Sequence, residues 1–313
     1  MSVDPYAPCP AGTGKKLKFC CSDLLTELDK IAHMLAAEQR QACLDYIAQL
    51  EAKYPDRACL LTTKAVVLHS LGRKEEALRA SDRVLATQPS NPVGLATRAL
   101  VLLDDEDPRE ALRPLHQALA ASGGQVMERV FETVGIVAEA LLAEGYITAA
   151  YAHSMWQLEM MPTHEPALLI VYRVQSSQSV PLPLKEIRLR FKTAPEGAAY
   201  KTEFDAASAL AKNGHWLAAV EAFDALMFRA AGCAALWNNL GILRAVLANE
   251  TGAAEALRRY ASLDVPLDDA IDAEMLALTI DPKVAEATVE QMCVRYQPAD
   301  LEAVTARLAA ASG

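Results

Sequence analysis

An all-α array of antiparallel helix pairs is the fold class that this 313-residue chain predicts, and three observations predict it. First, an alanine recurs at one place in a repeating frame, at Ala77, Ala111, Ala150, Ala219 and Ala253. The steps are 34 residues from Ala77 to Ala111 and from Ala219 to Ala253, with one longer step of 39 from Ala111 to Ala150. Second, a proline closes several units, at Pro55, Pro89 and Pro162. A period in this range belongs to repeats whose helices bury their apolar faces against neighbouring units. Third, hydrophobic residues make up 52% of the chain, aromatics only 6%, and alanine is abundant. Alanine is the best intrinsic helix former, and its small side chain lets helices approach closely.

The unit from Ala58 to Asn91 shows the pattern most clearly. Leu60, Leu61, Ala65, Val66 and Leu68 recur at helical spacing. Leu71-Gly72-Arg73 ends that helix, because glycine supplies the left-handed cap. Lys74-Glu75-Glu76 opens a second helix whose apolar stripe is Ala77, Leu78, Ala80, Val84 and Leu85, and Pro89 stops it. Six such units are predicted, beginning near Leu24, Ala58, Pro92, Phe131, Tyr200 and Ala234. In the first unit Cys43 takes the alanine slot. In the third, Asp107-Pro108 makes the turn, with Glu106 in the glycine place; in the last, Ala248 replaces the glycine.

These units resemble the tetratricopeptide repeat (TPR) family, whose marks are a large residue early in helix A, a small one at its middle, a turn Gly, an Ala opening helix B and a closing Pro. The best single match is Trp237-Asn238-Asn239-Leu240-Gly241, with Ala253 in frame. Gly145, Ala150 and Pro162 match in the fourth unit, and Gly214, Ala219 and Phe223 in the fifth. Glu27 departs from the pattern in the first unit. The resemblance covers roughly residues 24–265 and implies a superhelix that holds partner peptides or helices on the concave face lined by helix A.

Between the fourth and fifth units the array is interrupted. Glu165–Val174 reads as a lone helix, followed by a Ser/Gln run with Pro181 and Pro183. Ile187, Leu189 and Phe191 alternate with Arg188, Arg190 and Lys192, which predicts a short extended segment. The expected organisation is an N-terminal segment 1–22, a first repeat block 23–177, an interrupting loop 178–199, a second block 200–265 and capping helices over 266–313. The caps are Asp268–Ile280, Pro282–Tyr296 and Pro298–Ala311, since a stacked array needs a polar outer face at its end.

The N-terminal segment carries three of the seven cysteines. Cys9-Pro10-Ala11-Gly12-Thr13-Gly14-Lys15-Lys16-Leu17-Lys18-Phe19-Cys20-Cys21 resembles the SEC-C motif, a short zinc-binding module found at the C-terminus of the SecA translocase. The resemblance implies zinc held by Cys9, Cys20 and Cys21. The motif's second cysteine is absent, and Ala11 stands in its place. Zinc takes four ligands in a tetrahedron. The Gly-x-Gly loop folds the chain back, and neighbouring lysines favour thiolates. Asp4, His33 or water are the candidates for the fourth position. Two other readings compete: a basic arm with vestigial cysteines, and redox chemistry at the vicinal pair Cys20-Cys21. A P-loop is excluded, because Cys9 stands where the first glycine belongs and Lys16 where Ser or Thr belongs.

The remaining features bound the function. The net charge is −10, which argues against wholesale nucleic-acid binding. No apolar run of about 18 residues is present, and no basic stretch leads into an apolar one, so the expected compartment is the cytoplasm, with reduced thiols. None of the six histidines forms a metal-type pair, and no nucleophile or paired-carboxylate motif stands out, so no catalytic residue is assigned. Asp104-Asp105-Glu106-Asp107 reads as solvated surface, and Cys43, Cys59, Cys233 and Cys293 read as core packing.

The function expected is a non-catalytic protein–protein interaction scaffold. Asn239 matches an Asn with which the family's chaperone-binding members hold a C-terminal carboxylate, and Lys201 lies near the corresponding Lys. Asn238, Phe204, Lys212 and Asn213 are candidates for added contacts. In the first block the corresponding face is less polar: Thr62, Val66, His69, Val93, Thr97 and Leu100. The alternative is a secretion- or ribosome-associated adaptor docking through Lys15, Lys16 and Lys18; a zinc- or thiol-dependent enzyme at Cys20-Cys21 comes third.

Overall fold

The computed structural model describes residues 4–280 apart from 104–106, 124–125, 179, 181 and 186–189, together with parts of 302–310. The chain is an all-α helical repeat. Among the described residues the only strand-like pairing is an isolated antiparallel bridge between Pro8 and Lys16. The expected cap over 282–296 and the acidic residues 104–106 lie outside the described residues.

A one-turn helix, α1 (Leu17–Cys20), ends the N-terminal hairpin. Three helix pairs follow: α2 (Leu25–Ala36) with α3 (Arg40–Lys53), α4 (Ala58–Ser70) with α5 (Lys74–Thr87), and α6 (Pro92–Leu102) with α7 (Leu112–Ser122). Next come α8 (Glu128–Ala143) and α9 (Ile147–Met160), joined at Gly145, then α10 (Glu165–Ser176), packed on α9, and the short α11 (Leu182–Lys185). Two further pairs are α12 (Lys201–Lys212) with α13 (Trp216–Asp224) and α14 (Ala234–Val246) with α15 (Glu250–Ala261); α16 (Leu267–Ile280) packs on α15. Each of the six expected units therefore has its two helices. The chain divides into two compact units, residues 1–140 and 141–313.

The turns share one construction. In every unit but the third the residue closing helix A takes a positive φ, and the next N–H reaches back five residues to a carbonyl of the last turn, as from Arg73 to Leu68, Tyr146 to Leu141 and His215 to Leu210. This is the Schellman arrangement, which satisfies carbonyls that the helix end would otherwise orphan. Gly72, Gly145 and Gly214 supply the left-handed residue in those turns. Ala248, with φ 55°, and Glu38, with φ 56°, fill the same place without being glycines, and Asn249 and Gln39 make the same return bond. In the third unit Asp107 accepts from the Arg109 amide at 3.0 Å and opens a 3-10 turn, Pro108–Ala111, before α7.

The repeating small residue marks where helices cross. Ala77, Ala111, Ala150, Ala219, Ala253 and Cys43 are all fully buried. Gly241 on α14 makes the same contact from the other side: a Cβ there would stand 2.7 Å from Cγ of Leu257 on α15, itself buried. Interiors are close-packed, so this volume has nowhere to go. Gly241→Ala should therefore destabilise the fold by about 1–2 kcal/mol, the overpacking cost exceeding the helix propensity that alanine adds. Urea unfolding should show the midpoint fall with an unchanged slope.

Candidate functional site

Residues 5–18 fold as a tight hairpin. Leu17 N–H donates to Ala7 O at 2.9 Å, Lys18 N–H to Pro5 O at 2.9 Å and Cys9 N–H to Lys15 O at 2.9 Å. The loop between them turns at Gly12 and Gly14, both with φ 70°. Gly12 is required for space as well, since a Cβ there would lie 2.4 Å from Asn91 Oδ1. The one-turn helix α1 then carries Cys20 and Cys21 back over Cys9, and Cys21 N–H donates to Leu17 O at 2.8 Å.

The hairpin is fastened to the first compact unit by two side chains. Thr62 Oγ1 on α4 donates to Pro10 O at 2.6 Å, and Asn91 Nδ2 donates to Ala11 O at 2.5 Å. The same Asn91 caps α6, its Oδ1 accepting from Gly94 N–H at 2.9 Å. Cys9, Ala11, Leu17 and Cys21 are buried in one apolar cluster with Leu28, Ile47, Cys59, Leu61 and Ala77.

The structure brings Cys9, Cys20 and Cys21 together. Their sulfurs lie within 4.8 Å of one another, with Cys9 to Cys21 at 3.3 Å and Cys20 to Cys21 at 3.9 Å. Four thiolates at about 2.3 Å from a tetrahedral zinc stand about 3.8 Å apart, so three of the four positions fit. Hydrogen bonds from Cys59 first, then Cys9, lower the Cys21 thiol far below its ordinary value; Arg57 and Cys20 add to this. The Cys9 and Cys59 thiols are raised correspondingly, each chiefly by its bond to Cys21. Thiolate is the form of cysteine that binds a metal. Asp4 and His33 do not join the cluster: Asp4 accepts from Tyr6 N–H at 2.9 Å, and His33 faces Asp29 at 3.7 Å on the same helix. Three close cysteines could hold a metal. Outside them, Lys15 and Lys16 are exposed, and Lys16 and Lys18 stack over Tyr6, at 5.4 and 3.6 Å from the ring centre.

A second constellation lies in the second compact unit. Asn239 on α14 bonds to both backbone groups of Lys192: Lys192 N–H donates to Oδ1 at 2.8 Å, and Nδ2 donates to Lys192 O at 2.9 Å. Asn238 Nδ2 donates to Arg190 O at 3.2 Å and to Asn239 Oδ1 at 3.1 Å. Both groups of one residue face one amide only where the chain is extended. The period-two reading is consistent with this at Phe191; Ile187, Arg188 and Leu189 lie outside the described residues. Lys192 Nζ then pairs with Asp269 at 2.8 Å and sits 5.2 Å from the Tyr260 ring centre. The loop's own chain therefore occupies both asparagines.

The other candidates are placed as follows. Phe204 is fully buried, edge-on to Phe223 with ring centres 5.0 Å apart. Lys201 pairs with Asp205 at 3.0 Å and Glu196 at 3.4 Å. Lys212 and Asn213 are exposed. In the first block Thr62, Val93, Thr97 and Leu100 are buried, while Val66 and His69 are half-buried. A feature that the sequence reading missed is a cleft of about 460 Å³ beside Arg190 and Phe191, walled by Met155, Trp156, Lys212 and Trp216. Its tryptophans come from helices 60 residues apart, so local spacing gives no signal of it.

No family model matches the chain, and no curated protein matches it. Solved structures that align with it include a tetratricopeptide repeat protein from Parabacteroides merdae, at 13% identity and a TM-score of 0.37, over 80% of this chain and 82% of that one. Another is Naa15/Naa10 bound to HypK-THB, at 15% identity and a TM-score of 0.35, over 85% of this chain and 41% of that one. Among the described residues no helix is long and apolar enough to cross a membrane.

One buried group beside the cleft gives a pH signature. His153 is enclosed against Trp216, ring centres 5.0 Å apart and perpendicular, and burial pushes its pKa down to about 4. The unfolded histidine protonates first as pH falls below about 6.5. Stability contributed by the neutral imidazole is thus complete above that pH and is lost as pH falls toward 4, at up to about 1.4 kcal/mol per pH unit. Urea midpoints measured between pH 7 and 4 should show this slope, and His153→Met should flatten it.

Proposed function

We propose that the chain is a non-catalytic interaction scaffold of the tetratricopeptide kind, which captures extended partner peptides on helix A surfaces and carries a zinc-bearing N-terminal knuckle. The carrying observation is the Asn239 amide bonded to both backbone groups of Lys192. Main-chain bonds of this type give affinity for any extended peptide, while side-chain pockets select among sequences. Here Asp269 and Tyr260 receive a basic side chain, and the Trp156–Trp216 cleft lies beside the preceding aromatic one. The preferred partner peptide therefore carries an aromatic residue followed by a basic one. The repeat blocks 23–177 and 200–265, with the loop 178–199 between them, are the division that this role implies, the loop holding the site until a partner displaces it. Cys9, Cys20 and Cys21 are proposed as zinc ligands, and the compartment as the cytoplasm.

The test is direct binding of a labelled peptide with the sequence of residues 190–196. A chain carrying Phe191→Ala and Lys192→Glu, with its own segment weakened, should bind the peptide about tenfold or more tighter than the wild type, because occupancy in cis taxes the apparent affinity. Adding Asn239→Ala should abolish that gain while circular dichroism stays helical. Equal affinity in the wild type and the double variant would remove the proposal.

A second reading keeps ribosome docking through the knuckle. It is favoured by Phe19, 68% exposed, and Tyr6, 57% exposed, standing beside Lys16 and Lys18. Aromatic faces among lysines suit single-stranded RNA. Ribosome association should then weaken steeply with salt, with a log–log slope of about −2 for the three lysines, and Lys15, Lys16 and Lys18 changed to Gln should lose it.

A further inference from the structure

The hairpin supplies three thiols where zinc wants four, and the position that the motif reserves for the remaining one is Ala11. Ala11 is buried, with its carbonyl tied to Asn91. The loop around it leans on the first turn of α4, where Thr62 holds Pro10. One position into that helix is Cys59, a fully buried cysteine with Cys21 among the groups that act on its thiol. It lies in the same apolar cluster as Cys9 and Cys21.

We propose that Cys59 is the fourth ligand of a zinc centre formed with Cys9, Cys20 and Cys21, so that a helix of the repeat array replaces the cysteine that the hairpin lacks. The inference rests on the zinc reading of the three hairpin cysteines and adds the ligand that completes it.

Three features fit. The first is place: the Thr62 hydroxyl that holds Pro10 O at 2.6 Å lies 3.3 Å from Cys59 O, and Cys59 is buried in one cluster with Cys9 and Cys21. Its sulfur stands outside the group that lies within 4.8 Å, and rotation about the single χ1 bond is what moves it. The second is charge. Four thiolates around Zn²⁺ leave a net −2, and Arg57, a neighbour of Cys21, brings a positive charge to the site; it donates two bonds to the Asp23 carboxylate, at 2.6 and 2.8 Å. The N-terminal turn of α4, where Cys59 sits, adds a partial positive charge that favours thiolate. The third is the contrast with Cys43, which is equally buried in the same cluster but has its thiol raised by burial alone. Cys43 is a packing cysteine; Cys59 faces other thiols.

The arrangement also changes what the metal does. A site held within residues 9–21 would fold the hairpin alone. A site that includes Cys59 cross-links the hairpin to α4, so metal binding becomes folding free energy of the first compact unit.

X-ray absorption at the zinc edge of the wild-type chain decides the ligand set without a variant: four sulfurs at about 2.3 Å are expected. Three sulfurs and one nitrogen or oxygen would overturn Cys59 while leaving the zinc reading intact. Wild-type protein that takes up no zinc under reducing conditions would overturn both. Variants supply the second arm. Cys59→Ala should weaken zinc binding beyond the 10–100-fold that loss of a merely supporting residue costs, and should reduce the thiolate-to-metal charge-transfer absorption of the cobalt-substituted protein. Cys43→Ala, an equal loss of core volume, should leave both unchanged. Cobalt spectra unaltered by Cys59→Ala would also overturn the assignment.

Discussion

The repeat pairs among the described residues depend on small side-chain volume where helices pack. Ala77, Ala111, Ala150, Ala219 and Ala253 are fully buried, and Gly241 leaves no room for even a methyl group against Leu257. Close approach lets the remaining apolar side chains of each pair interdigitate, and burial of apolar surface is what offsets the entropy of ordering the chain. The tight turns follow from it. Helices that cross closely need a short connection, and the left-handed residue with its five-residue return bond supplies one at Gly72, Gly145, Gly214 and, without glycine, Ala248.

The same constraint seats the N-terminal hairpin. Gly12 lies against Asn91 with no space for a side chain, and Asn91 then serves both the hairpin loop and the N-terminus of α6. The thiols follow the loop into the apolar cluster of the first helix pairs. Burying an isolated thiolate would be costly. Here Cys21 lies 3.3 Å from Cys9 and 3.9 Å from Cys20, and Arg57, paired with Asp23, is among its neighbours. A segment that reads as an appendage is thus packed as part of a core.

Much of this was legible in the residues. Helices and turns were, because a period near 34 residues constrains every unit at once. The cysteine cluster was, because Cys9, Cys20 and Cys21 sit on one short loop-and-turn. What stayed hidden was long-range. Cys59 has the composition and spacing of a packing residue, and only the fold sets it beside Cys21. Asn238 and Asn239 were visible as polar residues on a helix and the alternation through Lys192 predicted an extended segment, but the two lie 47 residues apart along the chain from Asn239 to Lys192 and nothing in the spacing pairs them. Phe204 shows the converse: an aromatic early in a helix A reads as a surface contact, yet it fills the core against Phe223.

The central claim is that the hairpin and the first helix pairs form one cooperative structure. Native-state amide hydrogen exchange tests it most directly, because each amide reports the free energy of the opening that exposes it. The amides of Cys9, Leu17 and Cys21, all bonded within the hairpin, should exchange with the same opening free energy as Ala65 and Leu68 in α4. Hairpin amides that exchange near the unfolded rate while α4 stays protected would show an independent arm and contradict the account.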